Sequence, residues 1–432
     1  MIGLGLFAVW GSLAALSMAT NRDLLSPAKF YLLVCGVFFL DIFISEYSPL
    51  VYWTYGAILL IGAVAVLLEA CYPLPERNDP LESVVVPAGR TLVAVAGIWL
   101  VTLIPLLSQL YLVYHFGGIV RYMASINLRV LAWRELGMFR AAIGSITIIH
   151  LVYLVIAIRS TSFGWGHRAL YAAHLAIVVV LGAFSGSRSS LLWNFVLLAV
   201  VFHFLKRPIR FRFVVISVAV ILPLAALLNV ARKGVSWSPR EGLQTGLHDR
   251  DWAVDSEDFF TYGTNPLRLL YSREPPPPQW GMTYATAVTT LVPRRIWPGK
   301  PEPGGVIFTR EYTGDRWRGL SALAAGIIAE SVLNFGWYGI PVGFGIMLFV
   351  VFGNFAFYRK LRSGPDGARH TLRVMVYAVV VPGTCMLLYM DFSTAGISMI
   401  TRLCMLGMLY LALVSRMLRP LPPSAPVAVG PA

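Results

Sequence analysis

Glu330 is the only charged residue in the run "AGIIAESVLNFGWYGI", and its apolar surroundings make it the first candidate for chemistry. A carboxylate in low-dielectric surroundings holds a proton more tightly and suits a general base. The alternative is a pairing role with an arginine. Upstream, "PRRIWPGKP" sets Arg294, Arg295, Trp297 and Lys300 in a stretch stiffened by Pro293, Pro298 and Pro301, with Gly299 permitting a sharp turn. Cations held this way suit a phosphate or diphosphate, since guanidinium groups bind such oxygens bidentately and stay charged when partly desolvated. Trp297 suits a membrane interface or the face of a sugar ring. The bland alternative is a stiff structural loop.

More cations fall at comparable places. Arg188 lies in "FSGSRSSLL", Arg232 and Lys233 in "NVARKG", and Arg402 follows "DFSTAGISMIT". Arg121 and Arg129 stand in the amphipathic "GGIVRYMASINLR" and form a second tier. These positions suit a lipid-borne phosphate, with ordinary lipid headgroups as the alternative ligand. Acidic residues of the same loops, such as Asp249 and Glu257, offset many of the other arginines as surface pairs. "DRD" at 249–251 is a weak match to a metal-binding pattern, and the chain has no zinc spacing, P-loop or Ser-His-Asp set, so no metal or cofactor is expected. His150 and His174 fall inside apolar runs and are expected to find partners on neighbouring helices.

The elements that must position these residues are membrane helices. Of 432 residues, 57% are hydrophobic and 13% charged, with a mean hydropathy of +0.70, whereas soluble domains carry roughly 25% charged residues. The four cysteines are too scattered for a disulfide framework. The net charge of +14 is spread over loops without a basic helix or a base-stacking signature, which argues against nucleic acid. With about 20 apolar residues per crossing, the sequence predicts eleven spans: 2–19, 28–45, 50–70, 91–110, 141–158, 169–185, 190–205, 213–230, 335–357, 373–390 and 403–418. The first is read as a span and not as a cleaved signal, because it lacks a basic leader.

Short loops set the orientation. "KRPIRFR" and "YRKLRSGPDGARHTLR" fall on one side with Arg22, Lys29, Arg159 and Arg168, while the opposite short loops offer only Arg188 and Arg402. The basic side is therefore expected in the cytoplasm, with the N-terminus outside and the C-terminus inside. The predicted organisation is transmembrane helices 1–8 over 1–230, including an outer segment 111–140. An extracytoplasmic loop follows over 231–322, then helices 9–11 and a cytoplasmic tail over 323–432.

In order, "SGSRSSLL", "GMTYATAVTTLVPRRIWPGKP" and "AGIIAESVLNFGWYGI" resemble the oligosaccharide repeat-unit polymerases, the Wzy-type enzymes of O-antigen, capsule and exopolysaccharide assembly. The likeness covers roughly 90–410, and the first three spans add little to it. It implies an all-α, GT-C-like fold in the bacterial inner membrane and a metal-independent, inverting glycosyltransferase. It implies a growing glycan on undecaprenyl diphosphate as donor and a single lipid-linked repeat unit as acceptor. Undecaprenyl-diphosphate-linked oligosaccharide and membrane lipids are then the partners, and a chain-length regulator is a further one. Carried over by motif, Arg188, Arg232, Lys233, Arg294, Arg295, Lys300 and Arg402 contact diphosphate and glycan, and Glu330 is base or orienting carboxylate. The rival readings are an O-antigen ligase acting on lipid A core and, from another class, a lipid-linked oligosaccharide transporter.

Overall fold

The computed structural model describes residues 1–72, 84–125, 133, 136–184, 188–214, 235–238, 242–245, 262–289, 292, 296–313, 323–363 and 367–420. The described chain is mostly helical. Among its described residues, eight helices are long and apolar enough to cross a membrane, and two shorter apolar helices accompany them.

In chain order the helices begin with α1 (Ile2–Thr20), α2 (Pro27–Phe38), α3 (Pro49–Cys71), α4 (Ala88–His115), α5 (Ile119–Ser125), α6 (Gly137–Gly144), α7 (Ile146–Arg159), α8 (Trp165–Phe184) and α9 (Arg188–Leu205). The series continues with α10 (Thr264–Leu270), α11 (Met282–Thr289), α12 (Gly304–Thr313), α13 (Gly326–Phe335), α14 (Gly339–Arg362), α15 (Ala368–Cys385) and α16 (Phe392–Leu409). A π turn over Tyr410–Val414 carries α16 on to Met417. Two small antiparallel pairings complete the list: β1 (Val84–Val85) with β4 (Arg419–Pro420), and β2 (Val235–Ser238) with β3 (Gly242–Thr245).

Pro27 and Pro49 each open a helix, where the missing N–H costs nothing. The apolar runs then propagate because a helix satisfies all its own backbone groups, the requirement inside lipid. Pro105 of α4 and Pro382 of α15 sit within helices and are buried against neighbours, as membrane bundles tolerate.

Alternate helix ends gather on two opposite faces. On one, Asn21 Nδ2 after α1 donates to Glu69 Oε2 at the end of α3 (2.9 Å) and to the Tyr358 hydroxyl near the end of α14 (3.3 Å). Val86 N, just before α4, donates to Arg159 O at the end of α7 (2.8 Å). This face carries Arg22, Lys206, Arg207, Arg359, Lys360, Arg362 and Arg369 and is called the basic face below. The opposite face, with Glu330 close to it, is the glutamate face. There α10 docks on α2: Gly263 N donates to Phe38 O (2.8 Å), and Thr264 Oγ1 donates to Asp41 Oδ1 (2.6 Å). Strand β2 lies against α5, so described parts of the two segments expected outside, 111–140 and 231–322, meet.

The helices shift several expected boundaries. The second apolar run ends as a helix at Phe38, and Asp41 stands in a 3-10 turn beyond it and not within a span. The last helix starts at Phe392, not 403, because Asp391 caps it through a hydrogen bond from Thr394 N. Span 213–230 lies outside the described residues except for its first two positions.

The apolar stretch over 326–362 folds as two antiparallel helices. Gly336, at φ 58°, turns the chain, and α13 runs back along α14 with Gly339 against Ser331 and Gly343 against Ile328. Ten residues extend about 15 Å, roughly half of a ~30 Å hydrocarbon core. The crossing is therefore α14 alone, and α13 is a half-length helix packed beside its first turns.

Candidate functional site

Glu330 is fully buried on α13. Its Oε2 accepts the Phe392 N–H at the start of α16. Its Oε1 meets no donor in good hydrogen-bonding geometry, with the Thr283 side chain beside the carboxyl. Instead Oε1 abuts Gly304, where a Cβ would lie 2.6 Å away. The next residue, Gly305, is equally tight: a Cβ there would meet Leu323 O at 2.6 Å and Asp391 Oδ1 at 3.2 Å. Side chains at the paired glycines that open α12 would collide with Glu330 at the first and with Leu323 O at the second, where Asp391 also lies close.

Segment 279–289 builds the adjoining wall. Gln279 N and Trp280 N donate to Leu333 O and Asn334 O, each at 2.9 Å, at the end of α13. Trp280, at φ 50°, adopts a left-handed backbone that a bulky side chain rarely takes, and its ring is left exposed. Asn334 Nδ2 donates to Thr283 Oγ1 (2.6 Å) and to Glu330 O (2.9 Å). The Tyr284 and Ser331 hydroxyls meet at 2.6 Å. Burial pushes the Tyr284 phenol up to about 12, so it serves as a neutral hydrogen-bonding group.

The proline-rich platform follows this wall in the chain and leads into α12. Lys300 N donates to Trp297 O (3.3 Å), closing a turn through Pro298 and Gly299. Gly299 is absent from the left-handed region, so the turn does not depend on glycine's freedom there. Lys300 Nζ donates to Val292 O (2.8 Å), which assigns its ammonium a part in holding the platform together. Trp297 is 43% exposed. Downstream, Arg310 pairs with Glu302 (2.7 Å) and Glu311 (3.2 Å) on the surface, and these carboxylates hold its guanidinium above the ordinary value.

Of the remaining expected site residues, Arg402, Arg188 and Arg121 fall among the described ones. Arg402 is the eleventh residue of α16, about 15 Å along the helix, so it lies inside the helix and not at its mouth. The cause is the earlier start set by the Asp391 cap. Arg188 is the first residue of α9. Arg121 is exposed on α5 and folds over Gly117. Arg129, Arg232, Lys233, Arg294 and Arg295 lie outside the described residues, as does "DRD". Among the described residues no group of three or more metal-ligating side chains gathers. His150 and His174 find each other, Nδ1 to Nδ1 at 2.9 Å, and His174 Nε2 reaches Thr102 Oγ1 at 2.8 Å.

Three residues of the wall were missed in the sequence: Asp391, Thr283 and Asn334. Asp391 had a legible signal, an N-cap pattern "DFST" ahead of an apolar run. Thr283 and Asn334 had none, because their roles arise only when α11 and α13 meet. No family model matches the chain, and no curated protein or solved structure matches it either.

Proposed function

We propose that the chain polymerises undecaprenyl-diphosphate-linked oligosaccharide repeat units by inverting glycosyl transfer on the outer face of the bacterial inner membrane. The observation that carries this reading is convergence. "GMTYATAVTT", "PGKPEPGG" and "AGIIAESVLNFG", three successive stretches of the chain, meet around the buried Glu330 through Asn334, Thr283, Gly304 and the start of α16. Two of these are motif stretches on which the resemblance to repeat-unit polymerases rests, and the third contains the end of one.

In this reaction the acceptor hydroxyl oxygen bonds to the anomeric carbon, and the bond from that carbon to the diphosphate oxygen breaks. The electron pair leaves on the diphosphate, and the hydroxyl proton passes to Glu330. Cations of the platform and neighbouring loops stabilise the leaving charge, the task preorganised guanidinium groups perform best. Glu330 is covered by Gly304, so the first turn of α12 must lift for a hydroxyl to reach it.

Deleting the gene in source cells tests the class: single repeat units remain attached to the final acceptor if the chain polymerises, and none if it is a ligase. Glu330→Gln should then abolish long polymer, a loss of at least about 100-fold for a missing general base, with normal membrane insertion. A normal chain-length ladder in that variant overturns the assignment.

A further inference from the structure

Asp391 is 5% exposed, and its Oδ2 takes three donors: Ser393 Oγ (2.5 Å), Thr394 N (3.0 Å) and Thr394 Oγ1 (2.7 Å). Capping explains those bonds but not the charge, because serine, threonine and asparagine cap a helix as well. The other oxygen points elsewhere. Oδ1 leans on Gly305 while Glu330 Oε1 leans on Gly304, and Glu330 Oε2 is bound by the N–H of the residue after Asp391. Two buried carboxylates thus straddle one glycine pair. No ion pair to either occurs among the described residues. A second carboxylate in the same shell disfavours the ionised form of Glu330, which makes Glu330 the better proton acceptor. Glu330 has the oxygen without a well-placed donor, whereas Asp391 is committed to its cap.

We propose that Asp391 is a positioning residue for the transfer reaction: its fixed charge and its hold on the start of α16 make Glu330 the group that takes the acceptor hydroxyl's proton. The proposal rests on the polymerase reading above. Asp391 does not touch the reacting atoms and exchanges no proton itself.

Asp391→Asn and Asp391→Ser both remove the charge and keep a side-chain oxygen for the cap. The measurement is the rate of ladder formation against pH for purified protein in nanodiscs, supplied with lipid-linked repeat units extracted from source cells lacking the chain. In both variants the acid limb should move to lower pH by about one unit. The maximal rate should fall on the order of tenfold, as a weaker base requires, while the melting temperature stays near that of wild type. A rate lowered by one factor at every pH, with the limb unmoved, reduces Asp391 to a cap and overturns the proposal while leaving the polymerase reading intact. Absence of any ladder from wild type removes the polymerase reading and this proposal with it. Loss of a melting transition in both variants shows that the charge holds the fold, and overturns the proposal as well.

Discussion

A Cβ built on Gly339 would sit 2.1 Å from Ser331 O and 2.4 Å from Val332 N, both backbone atoms that cannot step aside without moving α13. Gly339→Ala should therefore push α13 off α14 and destabilise the protein by about 1–3 kcal/mol, the usual cost of overpacking. Gly345, two turns along the same helix, faces open space. Gly345→Ala should stay within about 0.5 kcal/mol of wild type, and thermal melting of the two variants side by side decides the matter. The pair Gly339 and Gly343 was legible as a close-packing signal, because small residues four apart let helices approach. Its partner was not. Hydropathy alone cannot separate one long helix from two helices folded together, and the turn depends on Gly336 taking a left-handed backbone. Glu330 was legible as an anomaly of charge in apolar chain. What covers it was not, since Gly304 and Asp391 come from chain that is remote until folded.

The loop element α10 is tied to the membrane helices by few groups, and each is specific. Asp41, 5% exposed, accepts from Thr264 Oγ1 and from the Tyr47 hydroxyl, while Gly263 packs on the Phe39 ring. Burial raises the Asp41 carboxyl above its ordinary value, and the Thr264 and Tyr47 donors pull it back. Thr264→Ala leaves that carboxylate short of a donor, at a cost of about 2 kcal/mol. Limited proteolysis should then cut near residue 262 faster than in wild type; an unchanged cleavage rate removes the latch from the account. The sequence placed Asp41 inside the second span because the apolar run continues through Phe43. The helix stops earlier, in a 3-10 turn that brings the carboxylate out to meet the loop. The same kind of error moved the last helix. Its cap at Asp391 lies twelve residues before the predicted start at 403, and polar residues such as Ser393 and Thr394 lowered the hydropathy of a helix that packs well against α11.

At the scale of the whole molecule, the basic face is held by a buried network centred on Asp23. Its side chain is 6% exposed, with His203 Nε2 at 2.8 Å and the Tyr358 hydroxyl donating at 2.7 Å. Burial alone would raise this carboxyl, but the donors of His203, Tyr358 and Leu25 outweigh it and hold the group at about 2. A folded value below the unfolded 3.8 stabilises the protein fully above about pH 4, and the contribution fades as pH falls toward 2. It amounts to roughly 2 kcal/mol. Acid unfolding followed by tryptophan fluorescence should show that component in wild type and lose it in Asp23→Asn. Coincident acid curves would remove Asp23 as a source of stability. This network joins α1, α9 and α14, so its loss loosens helices from both ends of the chain. The half-length helix α13 imposes an order of assembly as well. Glu330 waits for an N–H that lies 62 residues further along the chain. Until the ribosome has delivered α16, that carboxylate has no lasting home in lipid, so α13 must linger at the surface and settle only after the final crossing is in place. Because it returns to the side it entered from, its late arrival leaves the sidedness of every later helix undisturbed.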